Sequence, residues 1–346
     1  MGKDTLSSCA FLQNLNNMQT TIENFTGNDL LTSRKLRRYF VFLLRIRRVE
    51  FRIAEVPILA IPVLLLVSET AVLTTFAFWE GVFIFFLLFA FGDMINCLAD
   101  RDLDAVYKPH LSEAVYGLGV RFVTFQIIIS AALAIILSIH LSWTLNRWSL
   151  VGLVIAGLAL GAAYSVKPVQ LKGRGLAQLV CLWLIIFVGP MLFVGLLVDA
   201  APSAAVLIFA AFYGILQMGV ILVNTAEDYP EDLAANIRTI IVTLGLRQGI
   251  TLAFWLAVTG ATGVLFTLAA LFLQRTGNLI GLAALMPVLL ACIYVTGDIF
   301  SLKRKIKTAE LATSIQIVKQ TAKKVPLWIT IVAWSILGAA FVYFYI

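Results

Sequence analysis

Three aspartates fall within five residues in the stretch "NCLADRDLDAVYKP", directly behind an apolar run long enough to span a bilayer. Charge in hydrocarbon is costly, so acids clustered beside a membrane helix point to function. Asn96, Asp100 and Asp104 are spaced i, i+4, i+8, which on a helix lines them along one face. The pattern returns 128 residues later in "NTAEDYPEDLAANIRT", as Asn224, Asp228 and Asp232. Two facing carboxylate pairs supply hard oxygen donors without histidine or thiolate, a set that suits Mg²⁺ bridging protein carboxylates to substrate phosphates. The plain alternative is a solvated loop in each place, and its repetition with the same spacing at equivalent positions counts against it.

The remaining acids, Asp102, Glu227 and Glu231, fall off the shared face. Pro230 lies inside the second motif, so that helix is expected to kink or to begin there. Between the motifs, "YSVKPVQLKGRG" offers Tyr164, Ser165, Lys167, Lys172 and Arg174. Cations beside a metal-bound diphosphate would neutralise oxygens that the metal leaves uncovered as the leaving group departs. Lys108 and Arg238 are further candidates, whereas ordinary flanking charge accounts for Arg174 taken alone. Two histidines, His110 and His140, and four cysteines without a CxxC pair leave no zinc site and no disulfide framework to be read.

The elements that must position these residues are membrane helices. With 346 residues, 61% of them hydrophobic and 13% charged, the chain reads as a polytopic all-α integral membrane protein. Spans of about 20 apolar residues are expected near 54–68, 77–97, 119–140, 148–165, 176–198, 203–225, 248–273, 279–297 and 326–345. Residues 1–53 form a basic, amphipathic cytosolic arm, and 54–346 the transmembrane domain. The segment 298–325 is expected as amphipathic surface helix. Of the 26 Lys and Arg residues, 24 fall on one side of this nine-span layout and only Arg147 and Arg275 on the other. That bias places the N-terminus in the cytosol and the C-terminus opposite. Both acidic motifs then emerge on the cytosolic side, four helices apart, as in an internal duplication. The basic residues flank membrane spans, the lipid is a partner, and no nucleic acid is expected.

These residues resemble the UbiA superfamily of intramembrane prenyltransferases. The superfamily's NDxxDxxxD stands here as "NCLADRDLD", its DYxxDxxxGxRT as "DYPEDLAANIRT", and its YS…K segment as "YSVKPVQLKGRG". The resemblance implies a nine-helix bundle with cytosolic cap segments. It makes Asn96, Asp100, Asp104, Asn224, Asp228 and Asp232 ligands of two Mg²⁺ ions. Asp100, Asp104, Asp228, Asp232, Lys167 and Lys172 are the implied catalytic set, and Tyr164, Lys108, Arg238 and Arg174 face the diphosphate. An isoprenoid diphosphate would give its chain to a lipophilic acceptor, aromatic rings being the commonest, with Asp104 or Asp102 assisting proton removal. Phe86, Phe89, Phe187 and Phe193 are candidates for the tail channel, lipid packing being the bland reading. The chain departs from the pattern at Cys97, where Asp is usual, at Asn236, where Gly is common, and in the Tyr164–Lys167 spacing, one residue short of YxxxK. Two other readings stand beside transfer: a terpene cyclase of the same superfamily, and a cation transporter or lipid-binding protein using the deeper acids Asp93 and Asp298.

Overall fold

The computed structural model describes residues 33–67, 70–276 and 280–346. The first 32 residues of the expected arm, Cys9 among them, lie outside the described residues.

The chain is built from helices. An amphipathic α1 (Ser33–Ile46) leads through a 3₁₀ turn into α2 (Arg52–Leu66). Then come α3 (Phe76–Tyr107), α4 (Pro109–Leu118), α5 (Val120–Leu145) and α6 (Ser149–Ser165). Next are α7 (Leu176–Val198), which carries a π-helical stretch at Trp183–Val188, and α8 (Ala204–Glu227). Two short helices, α9 (Tyr229–Ala234) and α10 (Ile240–Leu244), precede α11 (Leu246–Thr276). Last come α12 (Met286–Thr308), α13 (Leu311–Ala322) and α14 (Val325–Tyr345).

Among the described residues seven helices are long and apolar enough to cross a membrane: α3, α5, α7, α8, α11, α12 with its preceding 3₁₀ turn, and α14. Helices also occupy the first and fourth of the nine expected places, but α2 has 15 residues and α6 has 17. At 1.5 Å per residue these reach roughly 22 and 26 Å, short of a hydrocarbon core of about 30 Å. Pro57 and Pro62 both lie inside α2.

Two helices overrun their expected ends. Helix α3 continues through the first acidic motif to Tyr107, because no breaker precedes Pro109. Helix α12 runs to Thr308 and ends where Ala309 turns extended, so the amphipathic segment expected from 298 starts in earnest only at α13.

Small residues set the closest packing. Helices α8 and α11 cross where a Cβ on Gly219 would lie 2.5 Å from the Ala257 nitrogen, and one on Gly260 would collide with the Leu216 backbone. Lipid tails are as apolar as leucine, so it is this kind of close approach that drives helix association in membranes. Around the contact, Tyr213, Phe209, Leu216, Ala253 and Ala257 are wholly buried.

The loops that carry the candidate chemistry are tied to each other. Strand β1 (Arg174–Gly175), between α6 and α7, pairs in parallel with β2 (Arg238–Thr239), between α9 and α10. Arg174 stands opposite Arg238, and Gly175 opposite Thr239. This two-stranded bridge brings the basic loop against the second acidic motif.

Candidate functional site

The first motif lies wholly within α3, so Asn96, Asp100 and Asp104 share one helical face as their spacing requires. Asp100 and Asp104 are buried, and Asn96 is half-buried. The Asn96 Oδ1 accepts a hydrogen bond from the Ser165 hydroxyl at 3.2 Å, which ties the motif to the end of α6.

The second motif is divided. Helix α8 stops at Glu227, Asp228 forms the joint, and Pro230 sits in the first turn of α9. Proline is suited there, since its missing N–H would have had no helical partner. The uninterrupted helix expected to carry Asn224, Asp228 and Asp232 is therefore broken at Asp228, although the Asp232 N–H still donates to the Asp228 carbonyl at 2.8 Å across the joint. Asn224 stays on α8 with its side chain exposed, while Asp232 is carried to a buried position on α9. The backbone turns back at Asn236, whose φ of 54° is left-handed. That is the conformation for which Gly is the usual residue and Asn a tolerated one. Asn236 thus adopts the left-handed conformation that a Gly at this place would take readily. The turn delivers Thr239, whose hydroxyl caps α10 by accepting the Val242 N–H at 3.3 Å and lies close enough to Asp232 to favour its charged form.

Two lysines join the halves. The Lys172 ammonium is 2.6 Å from Asp100 Oδ2 and also lies in the field of Asp232 and Asp104. Burial works against that ammonium, but the surrounding carboxylates outweigh it and raise its pKa. Lys108, which caps α3, reaches across to Asp228 Oδ2 at 3.0 Å. Burial pushes the Asp232 carboxyl up to about 6, with Lys172 drawing it back and Asp228 adding to the rise.

Other candidates fall at different distances from this centre. Tyr164 is partly buried, near Gln178, and within electrostatic reach of Asp100 and Asp232. Arg174 donates to the Pro168 carbonyl at 3.1 Å and is exposed, as is Arg238 beside it in the bridge. Lys167 is exposed and makes no ion pair among the described residues, so Lys172 is the lysine of this loop that meets the carboxylates. Asp102 is exposed, bonded by the Tyr116 hydroxyl and paired with Arg101. Cys97 itself is buried. Phe187 and Phe193 are buried in the core, Phe187 edge-on to Tyr213, while Phe86 and Phe89 pack partly buried against Phe85.

Sequence reasoning missed three groups. Gln178 is buried and its Oε1 accepts the Ile240 N–H at 2.9 Å, fixing the start of α10 against α7. Arg52 binds both Glu55 and Asp93, joining α2 to α3 one turn below Asn96. Arg48 holds a left-handed φ of 44° and contributes to the field at Asp104. A lone glutamine at a helix start and an Arg–Glu pair at i, i+3 were the available signals.

The donor set fits Mg²⁺. Each half offers two carboxylates, both halves end near one another, and lysine ammoniums now lie against the carboxylate oxygens, the places a cation would take. Among the described residues no three acidic, His or Cys side chains converge into a protein-only cage. Mg²⁺ requires none, because it retains waters and is held by one or two carboxylates together with substrate phosphates.

Comparison with known proteins is consistent in one direction. The chain matches the UbiA prenyltransferase family over residues 56–312. It is 29% identical over 181 residues to a 2-carboxy-1,4-naphthoquinone phytyltransferase of Synechocystis sp., covering 49% of this chain and 57% of that protein. It is 27% identical over 158 residues to the bacteriochlorophyll synthase 33 kDa chain of Rhodobacter capsulatus, covering 43% and 49%. The chain thus spans about half the length of these curated relatives. In fold it resembles a UbiA homologue from Archaeoglobus fulgidus bound to DMAPP and Mg²⁺, with a TM-score of 0.59 at 18% identity over 85% of this chain and 98% of that one. It also resembles a digeranylgeranylglyceryl phosphate synthase, with a TM-score of 0.61 at 14% identity over 88% and 99%.

Proposed function

The chain belongs to the UbiA prenyltransferase family, and from that premise we propose that it moves an isoprenoid chain from its diphosphate to a lipophilic acceptor within the membrane, releasing diphosphate. The observation that carries this reading is Lys172, which pairs with Asp100 of the first motif while lying in the field of Asp232 of the second. A centre where two acidic motifs and a lysine converge suits a polyanionic leaving group better than a solvated loop does. The names of the relatives support the direction, since both curated ones act on lipophilic ring systems by name.

Asn96, Asp100, Asp104, Asp228 and Asp232 are the residues that would hold Mg²⁺, two ions being the number the divided motif suits. Bound there, Mg²⁺ supplies Lewis-acid neutralisation of diphosphate charge. Lys172 and Lys108 are placed to donate to diphosphate oxygens as negative charge builds on the leaving group. Tyr164, Arg174 and Arg238 border the same loops and complete the polar rim. As the allylic C–O bond breaks, the acceptor bonds to that carbon and gives up one proton, for which Asp104 is the candidate base. The membrane interior holds the tail. The charge bias of the loops supports a site opening to the cytosol, with the N-terminus on that side. The transport reading loses support, because the deeper acids are already paired: Asp93 with Arg52 at 2.8 Å, and Asp298 with Lys324 at 3.0 Å and Trp328 at 3.3 Å.

The test is Mg²⁺-dependent diphosphate release from geranyl, farnesyl or geranylgeranyl diphosphate by purified protein, with and without a lipid extract as acceptor source. Loss of release in Asp100→Ala and Asp228→Ala is expected, and unchanged release in either overturns the reading. A cyclic product formed without acceptor would make the protein a cyclase instead.

A further inference from the structure

Helix α1 presents three different faces. Phe42 and Ile46 are buried, and Gly117 of α4 leaves the room that the Phe42 ring occupies. Leu36, Phe40 and Leu44, spaced i, i+4, i+8, form an apolar stripe exposed at 59%, 61% and 37%. Between these faces lies a surface pocket of about 360 Å³ lined by Arg37, Arg38, Val41, Phe42, Arg45 and Glu113. Arg37, Arg38 and Arg45 thus line the pocket around Val41 and Phe42, the Arg38 guanidinium lying over the Phe42 ring, and α4 contributes Glu113.

We propose that this pocket is a binding site for one anionic phospholipid of the surrounding leaflet. The charge and the shape argue together. Even with the Arg38 guanidinium committed over the Phe42 ring, Arg37 and Arg45 against Glu113 leave the described lining net cationic, and guanidinium matches a phosphate in fork geometry. The Leu36–Phe40–Leu44 stripe runs along the same helix and offers the acyl chains a surface that water would otherwise cover. A helix with a basic face and an adjoining apolar stripe lies in the interface plane of a bilayer, where head group and chain are met at once. A soluble protein partner would find the stripe too narrow, and a free phosphate would leave it uncovered. The site is separate from the carboxylate clamp, and its occupancy does not depend on what the clamp catalyses.

The experiment is thermal unfolding of the purified full chain in neutral detergent, with added dioleoyl phosphatidylglycerol, dioleoyl phosphatidylcholine or inorganic phosphate. Phosphatidylglycerol is expected to raise the melting temperature by several degrees more than phosphatidylcholine, and inorganic phosphate to have little effect. The R37Q/R38Q/R45Q variant should lose most of that difference. R304Q/K305Q/K307Q, which removes the same charge from the exposed end of α12, should keep it. Because the first variant could fold poorly, Glu113→Gln gives an independent reading: removing the one acid among the described lining residues should lower the phosphatidylglycerol concentration at half-effect severalfold. Equal protection by both lipids, protection by inorganic phosphate alone, or an unchanged response in Glu113→Gln would overturn the proposal.

Discussion

The ammonium of Lys172 lies 2.6 Å from Asp100 Oδ2, both side chains nearly enclosed, with exposures of 19% and 9%. This pair joins the loop after α6 to α3 across 72 positions of sequence. Removing one partner of a buried ion pair leaves an uncompensated charge, which costs about 3 kcal/mol or more. Lys172→Met should therefore lower the melting temperature, and Lys172→Met with Asp100→Asn should recover part of the loss in a double-mutant cycle. The same lysine is assigned to the leaving group, and loss of one such donor typically costs about 100- to 1000-fold in turnover. Diphosphate release by Lys172→Met should fall in that range even under conditions where the variant is folded.

Lys108 and Asp228 form the second cross-link at 3.0 Å, but their exposures are 41% and 28%. Solvent screens such a pair, and its worth to stability is about 1 kcal/mol or less. Lys108→Met should leave the melting temperature nearly unchanged. If the ammonium meets diphosphate, the substitution should raise the concentration of isoprenoid diphosphate at half-saturation about tenfold, which is about 1.4 kcal/mol of binding. A variant with wild-type affinity and reduced stability would reverse the assignment, making Lys108 a brace and not a ligand contact.

The contrast between these pairs shows what the sequence makes legible. The first motif could be placed by spacing because its three residues sit on one uninterrupted helix, and local periodicity is all that such a reading needs. The second motif has the same residues but not the same geometry, since a helix ends at Glu227 and a new one, with Pro230 in its first turn, carries Asp232. The proline announced a break without saying where the chain would go next. The choice between Lys167 and Lys172 was beyond local pattern altogether. It is made by the parallel pairing of Arg174–Gly175 with Arg238–Thr239, a contact between segments 64 residues apart that two residues of each strand hold in register. Likewise, hydropathy places helices at 54–68 and 148–165, segments that are already short, as α2 with 15 residues and α6 with 17 are, whereas it misplaces the ends of α3 and α12, because helix ends depend on caps and tertiary contacts as much as on composition.

Asn236 is a residue where family pattern and structure can be set against each other. Its φ of 54° lies in the left-handed region, and its N–H donates to the Leu233 carbonyl at 3.3 Å. Replacement by Gly should be neutral or slightly stabilising, because Gly adopts this conformation without a Cβ penalty. Asn236→Val should cost about 1–2 kcal/mol for the left-handed backbone alone. The turn also delivers Thr239 to Asp232, so the Val variant should weaken Mg²⁺-dependent diphosphate binding as well. Equal melting temperatures for the Gly and Val variants would show that the turn is not held in this conformation.

Two glycines separate packing from propensity. A Cβ at Gly260 would collide with the Leu216 backbone on α8, and backbone cannot move aside as a flexible side-chain end can. A Cβ at Gly338, inside α14, would meet nothing within 4 Å. Both substitutions to Ala gain the same intrinsic helix preference, roughly 1 kcal/mol. Gly338→Ala should therefore leave stability unchanged or raise it, whereas Gly260→Ala must push α8 and α11 apart, at a cost of about 1–3 kcal/mol for an overpacked core. Helix α8 runs directly into Asp228, so the displacement should reach the site: Gly260→Ala should lose diphosphate affinity as well as melting temperature. If both variants melt together and bind alike, the α8–α11 contact is looser than its geometry indicates, and the second acidic motif is positioned by the loop bridge alone.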